Sequence, residues 1–238
     1  MDKIRKLQDM INKSERIVFF GGAGVSTESG IPDFRSVDGL YNQKYEFPPE
    51  EIISHSFYKS NPEEFYRFYK DRMIFPLAVP NKAHEYLARL EKTGKLKAVI
   101  TQNIDSLHTM AGCENVLELH GSVMRNYCEK CGKFYDLDYV MATEGVPMCE
   151  CGGRVKPDVV LYEEQLDGKI LKDAVNAIES ADMLIIGGTS LIVYPAAGLI
   201  RHFFGDHLVL INKSETTADN WADLVIHEPI GEVFGQLK

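Results

Sequence analysis

The sequence predicts an α/β fold built on a doubly wound parallel sheet. Short apolar runs alternate along the chain with amphipathic stretches, which indicates strand–helix–strand units with helices on both faces of one sheet. The predicted strands are Ile17–Phe20, Leu96–Ile100, Val159–Leu161, Met183–Ile186, Leu208–Ile211 and Leu224–Ile226. A chain of 238 residues, of which 45% are hydrophobic, is long enough to bury one substantial core.

The amphipathic stretches between these runs predict helices, because their apolar residues recur at helical spacing. They are Ala83–Glu91, Ile170–Ile178 and Tyr194–Phe203, and the segment Met1–Arg16 has the same spacing.

Two segments break the alternation and predict a small second domain formed by two insertions. Ser36–Phe75 is rich in aromatic residues, and Pro62 followed by two glutamates is typical of a helix start. Tyr127–Gly153 has little apolar periodicity and contains four cysteines. We expect residues 1–35, 76–123 and 154–238 to form the sheet domain, and residues 36–75 and 124–153 to form the small domain.

The charge and hydropathy of the chain restrict its partners and location. A net charge of −9 disfavours nucleic acid and anionic membranes as main partners, since both need clustered Lys and Arg. No apolar run approaches the roughly 20 residues of a membrane span, and the N-terminal segment lacks a signal-peptide core. We expect a cytoplasmic monomer in which the five cysteines are reduced.

Four of the five cysteines predict a structural zinc site. Cys128 and Cys131 are separated by two residues and Cys149 and Cys151 by one, with glycines beside both pairs. Four thiolates from two tight turns suit tetrahedral zinc and leave no open position for water. A redox pair fits poorly because two pairs are present, and the acidic balance disfavours a nucleic-acid-binding zinc ribbon. Cys113 stands apart and is read as a core residue.

A glycine-rich segment directly follows the first predicted strand. Glycines in Gly21–Gly30 would let the backbone turn tightly and approach a pyrophosphate, whose charge the amides of the next helix would meet. The dinucleotide fingerprint is only partly matched, so a plain tight turn remains an alternative on this signal alone. The segment continues with Asp33, Phe34 and Arg35, which combine an acid, an aromatic ring and a guanidinium suited to phosphate or carboxylate.

Polar residues also follow other strands, where ligand sites of such sheets lie. Thr101–Asp105 follows Leu96–Ile100 and has more polar side chains than the alternative, a helix cap, requires. A lone histidine is usually structural, but His120 stands at a strand end before a glycine. Gly187–Ser190 fits either a phosphate or ribose contact or an ordinary capped turn, and Asn212 is placed to bond an adenosine ribose.

Together these motifs resemble the sirtuin family, in its compact bacterial type. Gly22–Arg35 matches the signature Gly-Ala-Gly-x-Ser-x-x-Ser-Gly-Ile-Pro-Asp-Phe-Arg in full, and Thr101–Asp105, His120-Gly121, the cysteine quartet and Gly188–Leu191 follow in order. The resemblance implies a Rossmann-like, NAD-dependent protein-lysine deacetylase with one structural zinc, acting on acetylated proteins or peptides. It would transfer the acetyl group of acetyl-lysine to ADP-ribose and release nicotinamide.

The resemblance also implies roles for individual residues. His120 would be the general base, Asp105 and the Ile104 backbone would hold the nicotinamide amide, and Phe34 would shield the reactive face. Gln102 and Asn103 would contact the ribose and a bound water, and Asn103 is grouped with His120 and Asp105 as catalytic. The remaining cofactor contacts would come from Gly22, Ala23, Gly24, Thr27, Asp33, Arg35, Thr189, Ser190, Asn212 and Ile230, the last for the adenine.

Two other functions use the same cofactor: a protein mono-ADP-ribosyltransferase, and a non-catalytic sensor of NAD or ADP-ribose. The intact set of Asn103, Asp105 and His120 argues against the sensor. Many sirtuins have Phe-Gly-Glu where this chain has Leu161–Glu164, which leaves the details of peptide contact there open.

Sirtuins that remove acidic acyl groups have a tyrosine and, three residues later, an arginine. The matching positions here are Tyr66 and Tyr69, so we expect a preference for neutral acyl groups, and we expect Tyr69→Arg to raise succinyl activity.

Overall fold

A six-stranded, wholly parallel sheet forms the centre of the protein, as a computed structural model describes it for residues 2–34, 39 and 47–238. Its strands are β1 (Ile17–Gly21), β2 (Leu96–Thr101), β3 (Val116–Glu118), β7 (Met183–Gly187), β8 (His207–Ile211) and β9 (Leu224–Ile226). The strand order is β3-β2-β1-β7-β8-β9. The predicted α/β fold with a parallel sheet is confirmed.

Both faces of this sheet are buried, because successive side chains of a strand point to opposite faces. In β1, Ile17 and Phe19 belong to one core cluster and Val18 and Phe20 to another. Helices α1 (Lys3–Lys13), α5 (Lys82–Lys92) and α9 (Ile230–Phe234) contribute buried residues to the first cluster, and α8 (Gly168–Ser180) contributes to the second. The sheet is therefore covered on both sides.

Side-chain caps explain where several helices begin. Asp2 accepts from the Ile4 amide at 3.0 Å to start α1, and Asp167 accepts from two amides to start α8. The predicted helix at Tyr194–Phe203 is instead a 3₁₀ helix over Ala196–His202. Among the described residues, no helix has the length and hydropathy needed to span a membrane.

A second, antiparallel sheet has the order β5-β4-β6 and contains β4 (Gly121–Cys128), β5 (Phe134–Tyr135) and β6 (Val155–Val159). The prediction of a parallel strand at Val159–Leu161 is wrong. The strand ends at Val159 and pairs with β4, and its burial alternates along the sequence. One face is packed and the other is open, as is common in antiparallel sheets.

Short helices pack against this second sheet. They are α2 (Pro49–Ile52), α3 (His55–Ser60), α4 (Pro62–Phe68) and α7 (Leu137–Ala142), and a π-helical turn, Tyr69–Met73, continues α4. Pro62 opens α4, as predicted. A cluster of buried rings that includes Phe65 and Tyr66 packs on Val123 and Val159 of the sheet. A further short helix, α6 (Leu107–Met110), follows β2.

Candidate active site

Two glycine turns lie against each other where β1 and β7 end. The amide of Gly24 donates to the carbonyl oxygen of Gly188 across 2.8 Å. Gly188 has a φ of 58°, and a Cβ atom there would stand 2.3 Å from the amide nitrogen of Val25. Neither position has room for a side chain, so bare backbone forms this part of the site.

A chain of hydrogen bonds connects the glycine-rich loop to the polar segment after β2. Asn103 donates from Nδ2 to the hydroxyl oxygen of Ser26 across 3.0 Å, and Ser26 donates to Asp105 Oδ2 across 2.6 Å. Ser26 and Asn103 are both buried. Ser26 is missing from the residues predicted for the site. Its only sequence signal is its place in the Gly22–Arg35 signature, because its partners lie 77 and 79 residues away.

Burial and hydrogen bonding act in opposite directions on Asp105. Burial raises the pKa of its carboxyl group, while bonds from Ser26, the Leu107 amide and Asn103 lower it. The Leu107 amide donates to Asp105 Oδ1 across 2.9 Å, so both carboxyl oxygens are held. The side chain is therefore fixed at the start of α6.

His120 is placed between β3 and β4, with its ring orientation set by the backbone. Its Nδ1 atom lies 2.8 Å from the carbonyl oxygen of Gln102. A carbonyl oxygen only accepts, so Nδ1 has the hydrogen and Nε2 of the neutral ring is a proton acceptor. Burial lowers the pKa of His120, and this favours the neutral ring. The bond to Gln102 raises the pKa but is the smaller effect. These are the properties of a general base.

One cavity of about 1130 Å³ joins these features. Pockets for drug-sized ligands measure roughly 300–1,000 Å³, so this one has room for a larger ligand or for two. The predicted catalytic and cofactor-binding residues within the described ranges all line it, and Arg35 lies outside those ranges. These lining residues are Gly22, Ala23, Gly24, Thr27, Asp33, Phe34, Gln102, Asn103, Ile104, Asp105, His120, Thr189, Ser190, Asn212 and Ile230.

The far wall of the cavity comes from the segments after β7, β8 and β9. Thr189 accepts from Gln102 Nε2 across 3.1 Å, which joins the loops after β2 and β7. Asn212 donates from Nδ2 to the carbonyl oxygen of Ser214 across 2.8 Å. Ile230 begins α9 and is buried. The cavity thus follows the carboxyl ends of all six strands of the parallel sheet, where such sheets bind ligands.

The four clustered cysteines form a metal-binding arrangement next to β4. The sulfur atoms of Cys128, Cys131, Cys149 and Cys151 all lie within 4.8 Å of one another. Four ligands about 2.3 Å from a tetrahedral zinc stand about 3.8 Å apart, so the spacing fits this metal. The sulfurs of Cys128 and Cys151 are 3.5 Å apart and those of Cys131 and Cys149 are 3.6 Å apart, much longer than a disulfide bond. Cys113 is buried in the main core, as expected.

Comparison with known proteins agrees with this geometry. The chain is 61% identical to a protein of Clostridium perfringens over 99% of this chain and 98% of that one, and 60% identical to one of Clostridium acetobutylicum over 98% and 97%. Both proteins are named NAD-dependent protein deacetylase.

Solved structures are similar over the same length. One, of a Sir2 enzyme with a p53 peptide and NAD⁺, has a TM-score of 0.85 at 39% identity. Another, of a Sir2 variant with a deacetylated p53 peptide and 3′-O-acetyl ADP-ribose, has a TM-score of 0.88 at 40% identity. Each covers 98% of this chain and 96% of its own. The sequence model of the Sir2 family matches residues 22–195, and the chain belongs to that family.

Proposed function

We propose that this protein is an NAD-dependent protein-lysine deacetylase that transfers the acetyl group of acetyl-lysine to ADP-ribose and releases nicotinamide. The observation that carries the proposal is the single cavity in which His120, Asp105 and the two interlocked glycine turns meet. Relatives at 60% and 61% identity are named for this activity, and similar structures hold NAD⁺ or an acetylated ADP-ribose.

NAD supplies the cleavable bond between nicotinamide and ribose. The residues of the chain bind and orient the cofactor and move a proton. The backbone of Gly22–Gly24 takes the pyrophosphate, since Gly22 and Gly24 leave no room for a side chain. Asp105 and the Ile104 backbone hold the nicotinamide amide, with Asp105 fixed by Ser26 and the Leu107 amide. His120 accepts a proton from a ribose hydroxyl at Nε2, because Nδ1 is engaged with Gln102.

Other cavity residues complete the cofactor site in this proposal. Gln102 and Asn103 contact the ribose and a bound water, Phe34 excludes water from the reacting face, and Ile230 contacts the adenine. Further contacts come from Thr27, Asp33, Thr189, Ser190 and Asn212, and the proposal adds Arg35, which lies outside the described residues.

The cysteine quartet holds one zinc ion with a structural role. All four ligands are thiolates, so no coordination position is left for a reacting water. The ion fixes the turns after β4 and before β6 and so stabilises the sheet against which α4 packs.

The substrates are acetylated proteins or peptides, and the enzyme acts in the cytoplasm as a monomer without nucleic acid or membrane as partner. The net charge of −9 supports this exclusion of polyanions.

The deciding experiment incubates the protein with an acetyl-lysine peptide, with and without NAD. We expect deacetylated peptide, nicotinamide and O-acetyl-ADP-ribose in equal amounts, and none of them without NAD. ADP-ribose attached to protein in place of O-acetyl-ADP-ribose would instead identify a mono-ADP-ribosyltransferase. Binding of NAD without turnover would identify a sensor.

A further inference from the structure

Ser106, directly after Asp105, has an unusual backbone conformation. Its φ is 61°, in the left-handed region that residues with a Cβ atom seldom adopt. A strained residue at the start of α6 persists only if its surroundings hold it there.

Two side chains bond the hydroxyl of Ser106. It lies 2.7 Å from the hydroxyl oxygen of Ser122 and donates to Glu118 Oε1 across 3.2 Å. Nearby, the amide of Val123 donates to the carbonyl oxygen of Ile104 across 3.0 Å. The loop that presents Asp105 is therefore attached to β4 from both sides of that residue.

Glu118 connects this attachment to an ion pair across the two sheets. Its other oxygen, Oε2, accepts from Arg125 NH1 at 2.7 Å, and Arg125 Nε donates to Asp158 Oδ2 at 2.8 Å. Glu118 ends β3 of the parallel sheet, whereas Arg125 and Asp158 belong to β4 and β6 of the antiparallel sheet. Only 11% of the Glu118 side chain is exposed, so solvent screens this pair less than a surface pair.

The shape of β4 places Arg125 for this contact. Ser122 pairs with Asp158 and Asn126 pairs with Pro157, so the three residues between Ser122 and Asn126 bulge out of the ladder. Bulges redirect side chains and recur beside active sites. Here the guanidinium reaches carboxylates of both sheets at the junction where His120 stands.

We infer that Glu118, Arg125 and Ser106 are positioning residues that hold the Asp105 loop for nicotinamide and so set the affinity for NAD. The inference rests on the proposed function, in which Asp105 binds the nicotinamide amide. In the proposed function Asp105 binds nicotinamide and not the peptide, so we expect the network to act mainly on NAD and nicotinamide.

The test measures the KM for NAD, the KM for an acetyl-lysine peptide, inhibition by nicotinamide, and calorimetric NAD binding. We expect Glu118→Gln and Arg125→Met each to raise the KM and Kd for NAD and the inhibition constant of nicotinamide about tenfold, because each loses a charge-assisted bond. The peptide KM should stay within about twofold. The double variant should resemble the single variants, because both remove the same link.

A matched pair at Ser106 separates the hydroxyl from the backbone. Ser106→Ala removes the hydroxyl but keeps a Cβ atom in the left-handed conformation, whereas Ser106→Gly removes the hydroxyl and also relieves the backbone strain. Both should weaken NAD binding if the hydroxyl bonds matter. A glycine variant that behaves like the wild type while the alanine variant does not would overturn the hydroxyl's role.

Asp173→Asn, which breaks a helix-surface pair with Lys169, is the control and should change nothing. Network variants with wild-type NAD affinity, or with equal losses for NAD and peptide, would overturn the inference. A wild-type protein without deacetylation would instead refute the proposed function, and the calorimetric NAD measurements would still decide the inference.

Discussion

His120 Nδ1 donates to the carbonyl oxygen of Gln102 across 2.8 Å, so the backbone of the β2 loop selects the tautomer of the ring. The Nε2 atom is left to accept a proton. This relationship joins two strand ends of the parallel sheet, since Gln102 follows β2 and His120 follows β3.

We expect His120→Ala to lower NAD-dependent deacetylation by about 10²–10⁴-fold, the usual contribution of a general base. The measurement is kcat on an acetyl-lysine peptide, with thermal unfolding as a check of folding. His202→Ala removes an exposed imidazole that pairs with Glu179 and should keep full activity. Near wild-type turnover in a folded His120→Ala protein would contradict the assignment.

We expect Asp105→Asn to weaken nicotinamide inhibition and nicotinamide exchange about tenfold while the peptide KM changes little. The carboxylate takes bonds from Ser26 and the Leu107 amide, and an amide replaces only one of its two acceptor oxygens. Exchange of labelled nicotinamide into NAD measures the first effect and peptide kinetics the second. A loss that falls mainly on the peptide would show that Asp105 serves the other substrate.

Metal analysis should find one zinc per chain. Cys128→Ser should lose the metal and lower the melting temperature sharply, because the binding energy of a structural zinc is also folding energy. Cys113→Ala changes a buried thiol outside the quartet and should keep the zinc. A folded, active protein without zinc would refute the site.

Two buried imidazoles predict acid sensitivity of the fold. His84 and His108 are buried with ring centroids 4.6 Å apart, and burial lowers both pKa values, that of His84 to about 4. At these two imidazoles the unfolded chain binds more protons than the folded one between about pH 4 and 6.5. The free energy of unfolding should therefore fall as the pH falls through this range. For His84 the difference corresponds to about 3 kcal/mol.

Urea unfolding at pH 7.5 and pH 5 measures this loss. His108→Leu removes one of the two rings and should flatten the dependence on pH, while the carboxylates titrate as before. An equally steep loss in this variant would assign the acid sensitivity to other groups.

The structure changes one expectation about acyl preference. Tyr69 is buried and stacks on Phe65 with ring centroids 5.8 Å apart, and it does not line the cavity. Its hydroxyl has no hydrogen-bond partner among the described residues. We therefore expect Tyr69→Arg to destabilise the protein by burying a charge, rather than to raise succinyl activity, and Tyr69→Phe to be tolerated.

The preference for neutral acyl groups itself stays a prediction. Catalytic efficiencies on matched acetyl- and succinyl-lysine peptides test it, and equal or better succinyl turnover would contradict it. For the Tyr69→Arg prediction, the control is the melting temperature of the Tyr69→Phe protein, which should match or exceed that of the wild type.

Continuous apolar runs predicted the parallel strands because those strands are buried on both faces, as in Ile17–Phe20. The same criterion failed for β6. Its buried residues Val155, Pro157 and Val159 alternate with partly exposed ones, and the apolar run that follows lies beyond the strand. The short strand β3 was indicated only as the strand end before His120 and was not among the predicted sheet strands, because three residues are a weak signal on their own.

Long-range contacts account for what the sequence did not indicate about the site. Strand ends and motifs indicated which loops meet, because parallel strands end at one edge of the sheet. They did not indicate that Ser26 stands between Asn103 and Asp105, since that depends on the approach of two loops. Likewise, helical spacing placed Tyr66 and Tyr69 on one face, but only packing determines that this face is turned into a core of rings.

The interlocked turns at Gly24 and Gly188 have a consequence for how this enzyme can diversify. Since no side chain fits at either position, point substitution cannot reshape that wall without dislodging a neighbouring strand end. Substitution is accommodated more readily at residues such as Met124 and Tyr162, which line the same cavity and remain exposed. We therefore expect substrate selectivity to be adjustable at these exposed positions, while the two glycine turns tolerate no side chain.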